Sequence, residues 1–236
     1  MQAIILAGGK GTRLRPYTTV LPKPLMPVGD YPILEIIVRQ LKNHGVDDIV
    51  LAVGHMSQLF QAFFQNGERL GVNIRYSFEA EALGTAGPIA LAMDVLEEDF
   101  LVMNGDVLTT LHYDNLIAFH KQRNGAATIG VFHRELKIDF GVIEAQDGKL
   151  QNYIEKPTYD FAVSMGVNVF KKSAIRDFVE PGRRLDIPDL MLQLKRAGLP
   201  VLCYSEPCRW LDIGRVDDYQ EAVSAFQSDS SEFLSS

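Results

Sequence analysis

Three glycines within four positions, Gly8, Gly9 and Gly11, sit in the run Leu6-Ala7-Gly8-Gly9-Lys10-Gly11-Thr12-Arg13-Leu14. Residues without a Cβ let a backbone turn sharply and bring several N–H groups close to an anion. Arg13, at the end of this loop, offers a planar fork for phosphate oxygens; Lys23, in Pro22-Lys23-Pro24-Leu25, adds a compact point charge. Two familiar phosphate-binding patterns do not fit. A P-loop needs Ser or Thr after Gly-Lys, where Gly11 stands, and a dinucleotide fingerprint begun at Gly9 needs a small residue where Leu14 stands. By itself the loop establishes a sharp turn suited to an anion and no more.

Further charged clusters follow downstream. Asn104-Gly105-Asp106 ends the apolar run Phe100–Met103, and strand ends are the usual place for a ligand site in an open parallel sheet. Glu155-Lys156-Pro157 and Trp210-Leu211-Asp212-Ile213-Gly214 each place a carboxylate in a short motif. Cys203 and Cys208 have no second Cys or His pair nearby to complete a zinc set, and none of the five histidines falls in a catalytic pattern. The two cysteines therefore read as reduced thiols of a cytoplasmic protein.

The elements that must position these residues alternate between short apolar runs and amphipathic helical stretches, the pattern of βαβ units on a largely parallel sheet. Ala3–Leu6 is expected as the first strand. Ile33–Asn43 is expected as a helix, with Ile33, Ile36, Ile37 and Leu41 on one face, Asp30 as its cap and Gly45 as its stop. Strands follow at Asp48–Val53, Val72–Phe78, Phe100–Met103, Ala126–Phe132 and Phe161–Phe170. Helices are expected at Ser57–Gln65, Thr85–Leu96, Tyr113–Arg123, about 186–195 and Val216–Phe226. Asp147-Gly148 suits the tight turn of a hairpin between Gly141–Glu144 and Leu150–Glu155.

Read together, residues 6–28 resemble the signature of sugar-1-phosphate nucleotidyltransferases, LAGGxGTRLxPxTxxxPKPLxPV, with Thr12, Pro16, Thr18, Pro22, Pro24, Pro27 and Val28 in their places. The later motifs extend the resemblance to about residue 220. It implies a Rossmann-like, three-layer α/β/α fold with a mixed, mainly parallel central sheet. It also implies transfer of a nucleotidyl group from a nucleoside triphosphate to a sugar 1-phosphate, with release of pyrophosphate.

The resemblance implies that Leu6, Ala7, Gly8, Gly9, Gly11, Thr12, Gly84, Thr85, Asn104 and Gly105 line the nucleotide site. Arg13 takes the β- and γ-phosphates, and Lys23 lies near the phosphate under attack. Asp106 and Asp212 are implied as ligands of Mg²⁺; two carboxylates with phosphate oxygens and waters make a reasonable shell for that ion. Glu155 is implied to accept from sugar hydroxyls, Lys156 to grip the sugar phosphate, and Gly141 to let backbone approach the sugar, beside Val163 and Asp212. The stretch Ser164-Met165-Gly166-Val167-Asn168 departs from an Asn-Ala-Gly-Ile-Tyr-like run, and Met165 is bulkier than the family's Ala.

Glu81-Ala82-Leu83-Gly84-Thr85-Ala86-Gly87 resembles the E-x-L-G-T-A-G segment of mannose-1-phosphate guanylyltransferases and their heptose relatives. A carboxylate at Glu81 can accept from both N1–H and the exocyclic amine of guanine. GTP and a mannose- or heptose-type 1-phosphate are thus the expected substrates, with uridylyl, thymidylyl or cytidylyl transfer as alternatives. A rival of another class is an inactive regulatory or nucleotide-sugar-sensing subunit. Such chains tend to lose Arg13, Lys23 or a metal Asp, and all of these stand here.

The net charge of −7 leaves no basic excess for a nucleic-acid backbone. The apolar start Met1–Ala7 is too short for a signal or membrane span, so a cytoplasmic protein is expected. One domain over 1–226, a frayed Ser-rich tail over 227–236 and no C-terminal β-helix complete the expectation. Homodimers are common among relatives of this kind.

Overall fold

The computed structural model describes residues 1–235. Its first strand, β1 (Gln2–Leu6), buries Ala3, Ile4 and Ile5 completely, as a strand covered on both faces requires. A two-residue pair, β2 (Pro27–Val28) and β3 (Tyr31–Pro32), leads into α1 (Ile33–Asn43). Pro32, not Asp30, stands at the start of α1, and the Ile33 amide donates instead to Met26 O at 3.0 Å. There follow β4 (Asp48–Val53), α2 (Ser57–Phe64), β5 (Asn73–Phe78), α3 (Gly87–Ala92), β6 (Asp99–Asn104), β7 (Val107–Thr109) and α4 (Tyr113–Gln122). The helix expected at Thr85–Leu96 is shorter at both ends. Thr85 stays outside it because its hydroxyl accepts from the Ile187 amide at 2.8 Å, and Met93–Val95 tightens into a 3₁₀ turn.

The second half contains β8 (Ala127–Lys137), β9 (Val142–Gln146), β10 (Lys149–Ile154), β11 (Thr158–Lys171), α5 (Lys172–Ile175), α6 (Ile187–Arg196), β12 (Val201–Tyr204), β13 (Trp210–Asp212) and α7 (Val216–Ser228). Against the expectation of a frayed tail over 227–236, Ser230–Ser235 forms α8, where Phe233 is fully buried against Phe226 and Asn43 donates to Leu234 O at 2.8 Å. One aromatic ring in the core outweighs the fraying tendency of the serines around it. Ser236 lies outside the described residues.

Seven strands form one sheet in the order β12-β8-β11-β6-β1-β4-β5. β1 runs parallel to β4 and β6, and β4 to β5, whereas β11 is antiparallel to both β6 and β8. The sheet is therefore mixed and mainly parallel. One face packs on α1, α4, α7 and α8 through Ile36, Leu41, Leu116, Phe226 and Phe233; the other packs on α3 and α6 through Ile89, Leu190 and Leu194. This is the three-layer α/β/α architecture.

Two features reach beyond the sheet. β8 and β11 continue pairing from Val131↔Ser164 out to Lys137↔Thr158, past a register shift between Ser164 and Asn168, and the exposed β9–β10 hairpin hangs from this ladder. Asp147 and Gly148 both adopt positive φ at its tip, as an Asp-Gly primed turn demands. β13 pairs with β7 in a separate short ladder that aligns Asp212 with Val107.

Candidate active site

The carboxyl ends of β1, β4, β5 and β6 lie side by side, with Leu6 opposite Ala52 on one side and Asn104 on the other. The chain leaves β1 with Ala7 N donating to Ala52 O at 2.8 Å, then turns through Gly8–Gly11. Gly11 takes a left-handed φ of 59°, and its carbonyl accepts from the Thr18 hydroxyl at 2.8 Å. Fully buried Leu14 pins the far end of the loop, leaving Arg13 at its mouth.

Lys23 opens a 3₁₀ turn whose Pro24 and Leu25 are buried, and is itself only 8% exposed. Its ammonium is paired with the Asp106 carboxylate. Asp106 follows the Asn104 strand end, where Gly105 N donates to Leu6 O at 2.9 Å and ties β6 to β1. The β7–β13 ladder brings in Asp212, and Ile213 N donates to Asp106 O at 3.2 Å. The Asp212 carboxyl is pushed above the usual carboxylate range by loss of water and by the Asp106 charge, against the pull of Lys23 and Arg13.

These elements enclose a cavity of about 380 Å³. Leu6, Ala7, Gly8, Gly9, Gly11, Thr12, Arg13 and Lys23 line it from the loop side, and Gly84, Thr85, Asn104 and Asp106 from the others. Gly105 acts one step behind, through its bond to Leu6. Twelve residues drawn from four separated segments thus converge on this cavity.

Glu81 does not join them: it is exposed and lies outside the lining. The glutamate in the wall is Glu79, whose Oε2 accepts from Leu83 N at 3.2 Å. Its other oxygen lies so close to Gly8 that a Cβ there would stand 2.5 Å from Oε1. Burial raises the Glu79 carboxyl above its usual range, opposed by the Leu83 hydrogen bond. The signal was available in the sequence: Glu79 immediately follows β5, at the edge where strand ends carry ligands.

The residues implied for the sugar stand apart. Glu155 and Lys156 are exposed at the end of β10, Lys156 at a φ of 44°, and Val163 faces Phe132 across the β8–β11 ladder. Gly141 makes room for the Tyr153 ring, whose hydroxyl a Cβ would strike. None of the four lines the cavity. Met165 is buried, its carbonyl accepting from Trp210 Nε1 at 2.9 Å.

The Asp106–Asp212 pair suits a divalent cation. Asp106 Oδ1 is buried with no hydrogen-bond partner among the described residues, and even with Lys23 paired to it the Asp106 charge disfavours ionised Asp212. Among the described residues no cluster of three or more His, Cys, Asp or Glu side chains forms a metal cage. A two-carboxylate site that draws its remaining oxygens from phosphate and water matches the habits of Mg²⁺.

The chain belongs to the Nucleotidyl transferase family, whose model matches residues 2–229. A UTP–glucose-1-phosphate uridylyltransferase of Synechocystis sp. is 34% identical over 94% of this chain and 62% of its own length. A mannose-1-phosphate guanylyltransferase catalytic subunit beta of Dictyostelium discoideum is 33% identical over 96% of this chain and 64% of its own length. The chain thus spans under two-thirds of the length of these curated relatives. A crystal structure of a putative glucose-1-phosphate thymidylyltransferase from Bacillus anthracis, in complex with a sucrose, superposes with a TM-score of 0.76 at 26% identity, covering 99% of this chain and 98% of that one. The fold of HddC from Yersinia pseudotuberculosis, complexed with GMP-PN, is similar, with a TM-score of 0.74 at 23% identity over 95% of this chain and 99% of that one.

Proposed function

We propose that this chain transfers a nucleotidyl group from a nucleoside triphosphate to a sugar 1-phosphate. The observation that carries the reading is the convergence of the Gly8–Gly11 loop, Arg13 and the Lys23–Asp106 pair in one cavity at the strand ends. An oxygen of the sugar phosphate attacks the α-phosphorus. The bond from that phosphorus to the oxygen bridging the β-phosphate breaks, and this oxygen departs with pyrophosphate.

The loop amides and Arg13 bind the β- and γ-phosphates, and Lys23 holds the phosphate under attack beside Asp106. They work by positioning and by matching developing charge, so no protein nucleophile is needed. Asp106 and Asp212 would hold Mg²⁺, which when bound neutralises charge on the phosphate oxygens. Glu155 and Lys156 receive the sugar and its phosphate, near Gly141 and Val163. The reaction takes place in the cytoplasm, in keeping with two unpaired cysteines and with no described helix long and apolar enough to cross a membrane.

GTP is the favoured nucleotide, with Glu79 rather than Glu81 reading the base. Guanine offers N1–H and an exocyclic amine to a single carboxylate, whereas uracil and thymine offer one donor on that edge. Glu79→Gln should weaken GTP use roughly tenfold more than UTP use, while Glu81→Gln leaves both within about twofold. Equal losses for the two nucleotides would sink the assignment. Mannose- or heptose-type 1-phosphates are the favoured acceptors; the uridylyltransferase relative keeps UTP with glucose 1-phosphate as the second reading.

The test of the whole reading is a pyrophosphate-release assay crossing GTP, UTP, dTTP, CTP and ATP with mannose, heptose and glucose 1-phosphates. Bound nucleotide with no release from any pair would favour a regulatory subunit.

A further inference from the structure

Part of the cavity wall, Ala82, Gly84 and Thr85, comes from the loop between β5 and α3. Residues outside the lining, Leu185, Asp186 and Ile187 at the start of α6, hold this loop in place. Leu185 O accepts from Ala86 N at 2.8 Å and from Gly87 N at 3.0 Å, and Leu185 N donates to Leu83 O at 2.9 Å. Gly84 takes a φ of 79°, and a Cβ there would stand 2.5 Å from Leu185 O and 2.6 Å from Asp186 Oδ1. The wall therefore lies directly on this segment.

The two sides exchange their capping groups. An aspartate at a helix start ordinarily accepts from the amides of its own first turn. Asp186 holds that position on α6 and makes no such bond. Its Oδ1 accepts instead from Thr85 N at 3.0 Å and from the Thr85 hydroxyl at 3.4 Å, while that hydroxyl accepts from Ile187 N at 2.8 Å. Thr85 thus caps α6 in place of Asp186, and Asp186 fixes Thr85. Pro188, in the first turn of α6, has no N–H to compete for the carboxylate. The second oxygen, Oδ2, stands 3.8 Å from Nη2 of exposed Arg184. A helix that needed only a cap would be served by its own aspartate; the crossed arrangement commits that carboxylate to the cavity wall.

Leu83 carries the restraint to Glu79. Its N–H donates to Glu79 Oε2 at 3.2 Å, and its carbonyl accepts from Leu185 N. We infer that Asp186 is a positioning residue for the nucleotide. By holding Thr85, and through the 83–87 loop the partner of Glu79, it sets the spacing between wall and base and sharpens the choice of base. Lys23, Asp106 and Asp212 stand on other elements, so the transfer step does not depend on it. This inference rests on the transferase reading above.

The test uses the full chain with two variants. Asp186→Ser still suits a helix start but is too short to reach Thr85 N, whereas the amide oxygen of Asp186→Asn keeps that bond. Isothermal titration with GTP and with UTP, in magnesium buffer without sugar phosphate, reads the wall apart from turnover. Asp186→Ser should raise the Kd for the preferred nucleotide about tenfold and narrow its preference over the other about fivefold. The kcat and the KM for sugar 1-phosphate should stay within about twofold of the parent, and Asp186→Asn should hold the Kd within about threefold. In Glu79→Gln/Asp186→Ser the preference should fall no further than in Glu79→Gln alone, since both changes act on one contact. If the serine variant does not fold, Asp186→Glu, which keeps the charge and displaces Thr85 by one methylene, carries the same expectation for Kd and preference. An Asp186→Ser chain that unfolds at a lower temperature yet binds both nucleotides as the parent does would reduce the contact to a helix cap and overturn the inference. Equal losses for nucleotide and sugar 1-phosphate would overturn it as well. If the Kd shift appears while no substrate pair releases pyrophosphate, the transferase reading fails and the positioning role stands.

Discussion

The nucleotide cavity and the β9–β10 hairpin are built on different physical terms. Three of the groups proposed to act there are tied to buried strands or turns: Lys23 by Pro24 and Leu25, Asp106 by the β6 end, Asp212 by the β7–β13 ladder. Such groups are held in place before substrate arrives, which is what electrostatic catalysis of phosphoryl chemistry demands. The hairpin is a two-stranded sheet with nearly every residue exposed, Ile143 at 56%, Leu150 at 63% and Tyr153 at 56% among them. Two strands alone are marginal in water, so Glu155 and Lys156 depend on the β8–β11 ladder for their placement. The contrast teaches that the proposed nucleotide side is preorganised and the proposed sugar side is only tethered.

Four experiments would break or sharpen that contrast. The largest effect belongs to Lys23→Ala. It should lower the transfer rate about a thousandfold, since it removes a preorganised cation and leaves Asp106 and Asp212 facing each other uncompensated. Single-turnover kinetics with a circular-dichroism check of folding would measure it; near-normal rates would dismantle the proposed site.

Phe233→Ala tests whether α8 belongs to the rigid side. Loss of a fully buried ring should cost about 3–5 kcal/mol in denaturant unfolding. A cost under about 1 kcal/mol would mean that the C-terminal helix lends the core nothing.

Lys156→Ala should raise the KM for sugar 1-phosphate about tenfold and leave the KM for the nucleotide unchanged. Equal rises in both would show that the hairpin and the cavity act as a unit.

The smallest effect lies away from the cavity lining, in α1. Glu35 is buried, which favours its neutral form, yet hydrogen bonds from Arg69 and Arg39 outweigh this and hold its carboxyl below the usual range. A depressed value in the folded state means that the stabilisation is present above the unfolded carboxylate pKa and is lost as the pH falls through the folded one. Glu35→Gln should therefore cost about 1 kcal/mol at pH 7, with the gap to the parent closing below about pH 4. Thermal melts across pH would show a constant gap if the pairing were idle.

Much of the site was legible because its chemistry is local. The Gly8–Gly11 loop follows its strand directly, and Arg13 and Lys23 stand at fixed offsets from it. Asn104-Gly105-Asp106 could be placed at a strand end from the apolar run before it. Motif spacing points to Glu81 and passes over Glu79. The choice between two carboxylates two residues apart turns on which one the backbone aims at Gly8 after β5 ends, and only packing sets that direction. Likewise Asp30 is a good capping residue by type, but Pro32 and the Met26 carbonyl already occupy the helix start. The serines of the tail suggested fraying, while a single phenylalanine among them decides for a docked helix.

The sequence by itself determined the strand–loop unit, the cations proposed to handle phosphate and the class of fold, since these follow from short-range spacing and hydrophobic period. Only the tertiary structure decided which groups meet. Asp212 reaches Asp106 across more than a hundred residues through a three-residue ladder that no periodicity announces. Asp186 reaches Thr85, 101 residues away, because α6 starts beside α3. Such meetings depend on register and on which strand pairs with which, and those are settled by burial of the whole core rather than by any local run of residues.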